Sequence, residues 1–368
     1  MNDADGMRLA LDLATLGEGE VNPNPLVGAV VVKNGRIIGR GWHQRFGGPH
    51  AEVFALDEAG DEARGATLYV TLEPCCHYGK TPPCTDRIIE AGVGRVVVGV
   101  RDPNPAVDGR GIDVLRAAGI AVDEGILADE AARQNEVFLA FTKTGIPFVQ
   151  LKLAISLDGR IATRTGDSKW ISGPASRTEG HRLRRRFASV LVGVGTVLAD
   201  DPALSVRHIR GRDPIPIVLD PSGKTPETAR LFGSGSQPIV ATASMSRKKE
   251  TALVARGARV WRIPQRRGSF DLSDLLRRLA EASVDSVLVE GGGETAARFL
   301  EANLVDKVAL FVAPILIGGR DATPSVGGEG AERVADAWRL RDVTVDRLEG
   351  DLYVVGYLGG NVRGDGGE

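Results

Sequence analysis

The order of sequence patterns predicts an α/β protein of two domains, the first a three-layer α/β/α sandwich on one mixed sheet. Three observations carry this. At 368 residues the chain has the length of two domains. Up to about residue 145, strand-like apolar runs alternate with stretches of helical spacing, in the order α-β-β-α-β-α-β-α-β-α. Thr144-Gly145-Ile146-Pro147 then breaks the pattern, and a new strand starts at Phe148. The expected domains are residues 1–145 and 146–360, with 361–368 a disordered tail.

Met7, Leu9, Ala10, Leu13, Ala14 and Leu16 give a first helix from about Asp5, closed by Gly17. Asn22-Pro23-Asn24-Pro25 is a loop. Val27–Lys33 and Arg36–Trp42 read as a hairpin around Asn34-Gly35, a type I′ signal. His50 opens a helix to about Ala59, and Ala66–Leu72 is a buried strand. A helix over Cys84–Ala91, a strand over Arg95–Val100 and the loop Asp102-Pro103-Asn104-Pro105 follow. A helix near Gly111–Ala118, a strand over Ile120–Glu124 and a helix over Asp129–Phe141 complete the domain.

In the second half, strands are expected at Phe148–Ile155, Ser189–Val194, Ile215–Leu219, Pro238–Thr242, Val260–Ile263, Ser286–Val289 and Lys307–Ala313. Val343–Leu348 and Leu352–Tyr357 make a closing hairpin around Glu349-Gly350-Asp351. Leu157–Arg160 and Gly166–Trp170 are loops. Pro174 opens a helix capped by Ser172 or Gly173 that runs to Arg186. Asp271–Ala282 is an amphipathic helix. Gly291-Gly292-Gly293, between a strand and a helix, lets backbone N–H groups approach a phosphate, although a turn needing positive φ reads equally well. It is not G-x-G-x-x-G.

Chemistry concentrates in His50-Ala51-Glu52 and in Thr71–Cys84. The three cysteines of the chain, Cys75, Cys76 and Cys84, lie within ten residues. His50, Cys75 and Cys84 offer one imidazole and two thiolates, the ligand set of a catalytic zinc site that keeps its fourth position for water. Glu52 is placed to move protons. H-x-E followed by P-C-x-x-C is the signature of zinc nucleobase deaminases. Here eight residues, not two, separate the outer cysteines, so the insert must bulge out and return through Pro82-Pro83. A structural zinc knuckle with Cys76 or His77 as fourth ligand is the plainer alternative. With Cys76 it asks two adjacent cysteines to chelate one ion, and it leaves Glu52 unused. A redox disulfide fares worse, because a vicinal pair is strained and three thiols cannot all pair.

Apolar residues make up 42% and charged residues 26%, with a formal net charge of −2. That balance gives no pull toward nucleic acid or an anionic membrane. No apolar run is long enough to span a bilayer, and the acidic start Met1–Asp5 lacks a signal pattern. The cysteine usage fits a reducing, cytoplasmic setting.

Taken together, Asn22–Gly28, His50–Glu52 and Thr71–Cys84 resemble the cytidine-deaminase-like superfamily, and more closely the bifunctional riboflavin-biosynthesis deaminase–reductases. Leu151–Ala154, Ser156–Gly159, Gly166–Trp170, Val192–Leu204 and Val289–Gly293 look like the C-terminal reductase of that family, which is similar to dihydrofolate reductase. The resemblance covers about residues 5–358.

It implies zinc and NADPH as cofactors and a pyrimidine ribotide as substrate. The 2-amino group of 2,5-diamino-6-(5-phosphoribosylamino)pyrimidin-4-one would be hydrolysed, and the ribosyl group then reduced. His50, Cys75 and Cys84 would hold zinc, with Glu52 as proton shuttle. Asn24, His43, His77, Lys80, Asp102 and Asn104 would hold the deaminase substrate. Ala154, Trp170, Thr196, Asp200, Gly292, Gly293, Glu294, Thr295, Ala296, Ala297 and Arg298 would line NADPH. Lys152, Ser168, Arg184, Leu204, Arg207 and Glu290 would face the reductase substrate, with Arg184 and Arg207 suited to its phosphate. A homo-oligomer, dimer or tetramer, is expected, with no nucleic-acid or membrane partner. The competing readings are a nucleic-acid (tRNA) deaminase with an accessory domain and a metal-stabilised scaffold without activity.

Overall fold

The computed structural model describes residues 1–79, 82–266 and 269–358. Lys80 and the expected tail 361–368 lie outside them. The chain divides into two compact units, Met1–Thr144 and Gly145–Glu368.

In the first unit, α1 (Asp3–Ala14) starts earlier than its apolar spacing suggests because Asn2 and Asp5 form a capping box. It ends at Ala14, and Thr15–Gly17 is a 3₁₀ turn, so Gly17 is not its cap. β1 (Gly28–Lys33) and β2 (Arg36–Trp42) pair antiparallel around Asn34 and Gly35, whose φ values of 51° and 75° give the expected turn. β3 (Thr67–Leu72), β4 (Arg95–Val100) and β5 (Ala121–Glu124) are mutually parallel, and the sheet order is β2-β1-β3-β4-β5.

Alternation along the strands divides the core. Val31, Leu68, Val70, Val96 and Val98 pack with Ala55 and Leu56 of α2 (Ala51–Ala59), Ile88 of α3 (Cys84–Glu90), and Ile112 and Leu115 of α4 (Arg110–Ala117). Val30, Val32, Tyr69 and Val97 pack on the opposite face with Met7 and Ala10 of α1 and Ala131 of α5 (Ala128–Gln134). The single helix expected over Asp129–Phe141 is two, α5 and α6 (Glu136–Thr144). Between them the buried Asn135 amide donates to Leu26 O and accepts from Leu26 N, both at 2.8 Å.

In the second unit, the strands are β6 (Phe148–Ser156), β7 (Arg160–Ala162), β8 (Ser189–Gly193), β9 (Ile215–Leu219), β10 (Ile239–Thr242), β11 (Arg259–Arg262), β12 (Gln265–Arg266), β13 (Ser269–Phe270), β14 (Ser286–Val289), β15 (Lys307–Ala313), β16 (Thr323–Pro324), β17 (Leu340–Leu348) and β18 (Asp351–Leu358). Nine of them form one sheet in the order β11-β10-β9-β8-β14-β6-β15-β18-β17. It is parallel as far as β15 and closes with antiparallel β18 and β17. β7 pairs with β16, so Arg160 belongs to a strand rather than to the expected loop.

The helices are α7 (Pro174–Arg186), α8 (Val194–Asp200), α9 (Arg247–Ala255), α10 (Leu272–Glu281) and α11 (Gly293–Glu301). Leu275, Leu276 and Leu279 of α10 and Phe299 of α11 pack with Leu151, Leu191, Val287 and Val289 of the sheet. Gly173 takes the cap position of α7 without a side-chain bond, and the partner comes from far along the chain. Asp351 Oδ2 accepts from Gly173 N at 2.7 Å and from Ser176 Oγ at 2.6 Å.

Candidate active sites

The first site lies at the C-terminal ends of β3 and β4, where parallel strands open toward ligands. His50 sits at the N-cap of α2, Cys75 follows β3 and Cys84 starts α3. Their donor atoms all lie within 4.8 Å of one another. His50 Nδ1 is 3.2 Å from Cys84 Sγ and 3.6 Å from Cys75 Sγ, and the Cys84 N–H reaches Cys75 Sγ at 3.4 Å. The hydrogen bond from the Cys84 thiol does most to bring the Cys75 thiol down to about 4; burial opposes it, and His50 adds to the lowering. Cys84 is pushed up by the same bond and by burial.

Glu52 is 3% exposed, burial raises its pKa, and its Oε2 has no hydrogen-bond partner. Two thiols and an imidazole at this spacing, beside an orphaned carboxylate oxygen, fit a zinc ion with work for Glu52. Cys76 stands apart, its Sγ near Ala106 O at 3.6 Å.

The cavity beside the cluster is about 320 Å³. Asn24, His43, His77, Asp102 and Asn104 all line it, and of the expected substrate set only Lys80 lies outside the described residues. His43 Nδ1 donates to Pro49 O at 2.9 Å, which leaves Nε2 to accept from Asn24 Nδ2 at 3.0 Å. Burial lowers the pKa of His43. Asp102 and Asn104 also shape their loop, Asp102 Oδ1 accepting from Asn104 N at 2.8 Å and Asn104 Oδ1 from Ala106 N at 3.0 Å. Phe46 and Phe138 supply apolar walls that no motif announced.

The second site is a cavity of about 370 Å³. All six residues expected to face the reductase substrate line it: Lys152, Ser168, Arg184, Leu204, Arg207 and Glu290. At its centre Glu290 pairs with Arg184, and Lys152 Nζ stands 4.0 Å away. Burial would raise Glu290, but Arg184 and Lys152 outweigh it and hold the carboxyl down to about 2. Burial lowers Lys152. The Arg184 guanidinium donates to both Glu290 oxygens and to Ser205 O, three of its five N–H groups, and lines the cavity.

Of the residues expected around NADPH, Ala154, Trp170, Thr196, Asp200 and Gly292 line the cavity. Thr196 Oγ1 accepts from Gly292 N at 3.0 Å, and the exposed Trp170 ring carries the Arg177 guanidinium 4.7 Å from its centroid. The bare Gly291-Gly292 backbone and this open indole fit a phosphorylated nucleotide. Gly293, Glu294, Thr295, Ala296, Ala297 and Arg298 form the start of α11 and do not line the cavity; Ala296 and Ala297 are core residues.

Sequence reasoning passed over His181 and His208, which pack edge to face at 4.6 Å in the cavity wall. His181 Nδ1 accepts from Arg207 N at 3.3 Å. Its i, i+3 relation to Arg184 on α7 was the signal that could have found it.

Family models match both units: the cytidine and deoxycytidylate deaminase zinc-binding region over residues 1–100, and the RibD C-terminal domain over residues 147–354. The riboflavin biosynthesis protein RibD of Aquifex aeolicus is 42% identical over 353 residues, 96% of this chain and 97% of its own length. The chain belongs to the RibD family. RibD of Escherichia coli is 41% identical over 97% of this chain and all of its own length. The RibD structure from Acinetobacter baumannii superposes with a TM-score of 0.87 at 39% identity, covering 97% of this chain and 98% of that one. A Thermotoga maritima structure described as a diaminohydroxyphosphoribosylaminopyrimidine deaminase/5-amino-6-(5-phosphoribosylamino)uracil reductase gives 0.85 at 39% identity, with 97% and 98% coverage.

RibD proteins join a zinc-binding deaminase domain of cytidine-deaminase-like fold to an NADPH-using reductase domain of dihydrofolate-reductase-like fold. This chain is therefore a bifunctional hydrolase and oxidoreductase of riboflavin biosynthesis, and a tRNA deaminase is not favoured. Among the described residues, no helix is long and apolar enough to cross a membrane.

Proposed function

We propose that the first unit deaminates 2,5-diamino-6-(5-phosphoribosylamino)pyrimidin-4-one and that the second reduces the resulting ribosylaminouracil to its ribityl form. The proposed domains meet near residue 145, a reading supported by the division of the chain into the units Met1–Thr144 and Gly145–Glu368. The observation that carries the deaminase half is the His50, Cys75 and Cys84 cluster with the buried, partnerless Glu52 Oε2 beside it.

His50, Cys75 and Cys84 would hold zinc. Bound there, the ion would supply the Lewis acidity that makes water reactive near neutral pH. Glu52 takes a proton from the attacking water and passes it to the ring nitrogen as the C–O bond forms and the ring C=N π bond opens; a second proton moved to the amino group lets ammonia leave as the C–N bond breaks and the carbonyl forms. The Asn24 amide, held by His43, faces the pyrimidine edge, and His77, Lys80, Asp102 and Asn104 complete the grip.

In the second unit NADPH supplies the hydride. Trp170, Thr196, Asp200, Ala154 and Gly292 hold the cofactor. Lys152 and Asp200, both lining the cavity, are the polar candidates for the proton donor, and burial lowers the pKa of Lys152. Glu290 stands 4.0 Å from Lys152 Nζ as its carboxylate partner, and Arg207, in the cavity lining, is a cation suited to the ribotide phosphate. Ser168 and Leu204 line the same wall. We further place the protein in the cytoplasm as a homo-oligomer, for which the outermost strand β17, with Val343 and Val345 exposed, offers an edge.

The test is mass spectrometry of the diaminopyrimidine ribotide after incubation with the wild type and Glu52→Gln, with and without NADPH. The wild type gives the deaminated species alone and the deaminated, reduced species with NADPH; the variant gives neither. Reduction by Glu52→Gln would overturn the order of the two steps.

A further inference from the structure

Glu73 belongs to no role assigned so far. It follows β3, two residues before Cys75, and is 3% exposed. A buried carboxylate without compensation is costly. The hydrogen bonds to this one all come from backbone N–H groups of residues 102–112. Oε2 accepts from Asp102 at 3.4 Å and from Gly109 at 3.0 Å. Oε1 accepts from Gly111 at 3.0 Å and from Ile112 at 3.3 Å, where the start of α4 presents its free donors. The contact is close on the other side as well. A Cβ at Gly111 would lie 2.1 Å from Pro74 O and 3.2 Å from Glu73 Oε1.

We propose that Glu73 is a positioning residue of the deaminase, holding the loop that carries Asp102 and Asn104 in register with Cys75. The connection is short. Asp102 N is bound to Glu73, Asp102 Oδ1 accepts from Asn104 N, and Asn104 Oδ1 accepts from Ala106 N. One stretch, Glu73-Pro74-Cys75, thus presents the Cys75 sulfur to the zinc cluster and anchors the substrate loop. A ligand gripped by Asp102 and Asn104 is held at a fixed distance from the cluster. This rests on the deaminase reading above.

The experiment uses the zinc-loaded full chain and the diaminopyrimidine ribotide. Glu73→Gln puts an amide NH₂ against donors that need an acceptor. Deaminase KM rises about tenfold or more with kcat within about twofold, and zinc content is unchanged. Gly111→Ala, which keeps the carboxylate and wedges the loop off Pro74, raises KM in the same way. Adding Glu73→Gln to Asn104→Ala raises KM no further than Asn104→Ala alone, because both act through one loop.

Hydrogen exchange at the Asp102, Gly109, Gly111 and Ile112 amides speeds up in Glu73→Gln, a readout that needs no substrate. The proposal is overturned if kcat falls at constant KM, if zinc is lost, if the two KM factors multiply, or if exchange is unchanged. Should the wild type release no ammonia from the ribotide, the proposed function falls, and exchange at these amides still decides whether Glu73 clamps the loop.

Discussion

Arg184 grips Glu290 at both carboxylate oxygens, Nε to Oε1 at 2.7 Å and Nη2 to Oε2 at 2.8 Å, while its Nη1 donates to Ser205 O at 3.1 Å. One side chain therefore joins α7, the end of β14 and the segment leading to Arg207. The pair is nearly buried, with side-chain exposures of 14% and 8%.

Removing one partner of such a pair strands the other charge. Arg184→Met costs about 3–5 kcal/mol of the second unit's stability, because Glu290 keeps only the more distant Lys152. NADPH consumption is lost while ammonia release continues. Arg184→Lys does not rescue it, since an ammonium cannot replace the two-pronged contact. Urea unfolding and the two separate activity assays check this; a fully stable Arg184→Met would refute it.

His181 gives the second unit an acid-sensitive slope. Burial, followed by Arg184 and its neighbours His208 and Arg207, lowers its pKa from 6.5 to about 4. The folded state binds its proton later than the unfolded chain, so the stabilisation is complete above pH 6.5 and is lost as pH falls toward 4. A shift of this size is on the order of 3 kcal/mol. Glu290 adds a lower window, from 4.5 down to about 2. In His181→Gln, unfolding free energy measured between pH 7 and pH 4 should lose most of its pH slope, and an unchanged slope would assign it to other groups.

Zinc removal separates the two activities. A chelator should abolish ammonia release and lower the melting temperature of the first unit, because the ion binds only the folded ligand set. Reduction of already deaminated ribotide continues. Cys84→Ser behaves like the chelated protein, whereas Cys76→Ser keeps its metal, because Cys76 lies outside the cluster. Metal analysis beside both assays decides it.

The sequence was most legible where chemistry is local in the chain. The hairpin turn at Asn34-Gly35 and the spacing of His50, Cys75 and Cys84 can each be read without knowing what packs against them. It was least legible where a side chain answers to distant backbone. Nothing near Asn135 says that Leu26 will take its amide and break a helix. Nothing near Glu73 says that four N–H groups from residues 102–112 converge on it. α9 escaped for another reason. Arg247-Lys248-Lys249-Glu250 opens it without apolar periodicity, and its one local signal is the Ser246 cap, which accepts from Lys249 N at 3.3 Å. Arg184 was recognised as a site residue, but its engagement by Glu290 depends on a strand 106 positions away.

The position of β6 in its sheet bears on how the chain matures at the ribosome. β6 is the first strand of its unit to be synthesised, yet both its neighbours come late: Phe148 pairs beside Ser286, and Gln150 beside Lys307. At about 5–20 residues per second, its nine residues wait on the order of ten seconds for the first neighbour. α7 waits longer still, for Asp351. The first unit closes on itself within Met1–Thr144 and has no such delay. A nascent chain can therefore carry a finished zinc-binding half while its other half is an exposed apolar strand, the interval in which chaperone occupancy and misassembly will concentrate.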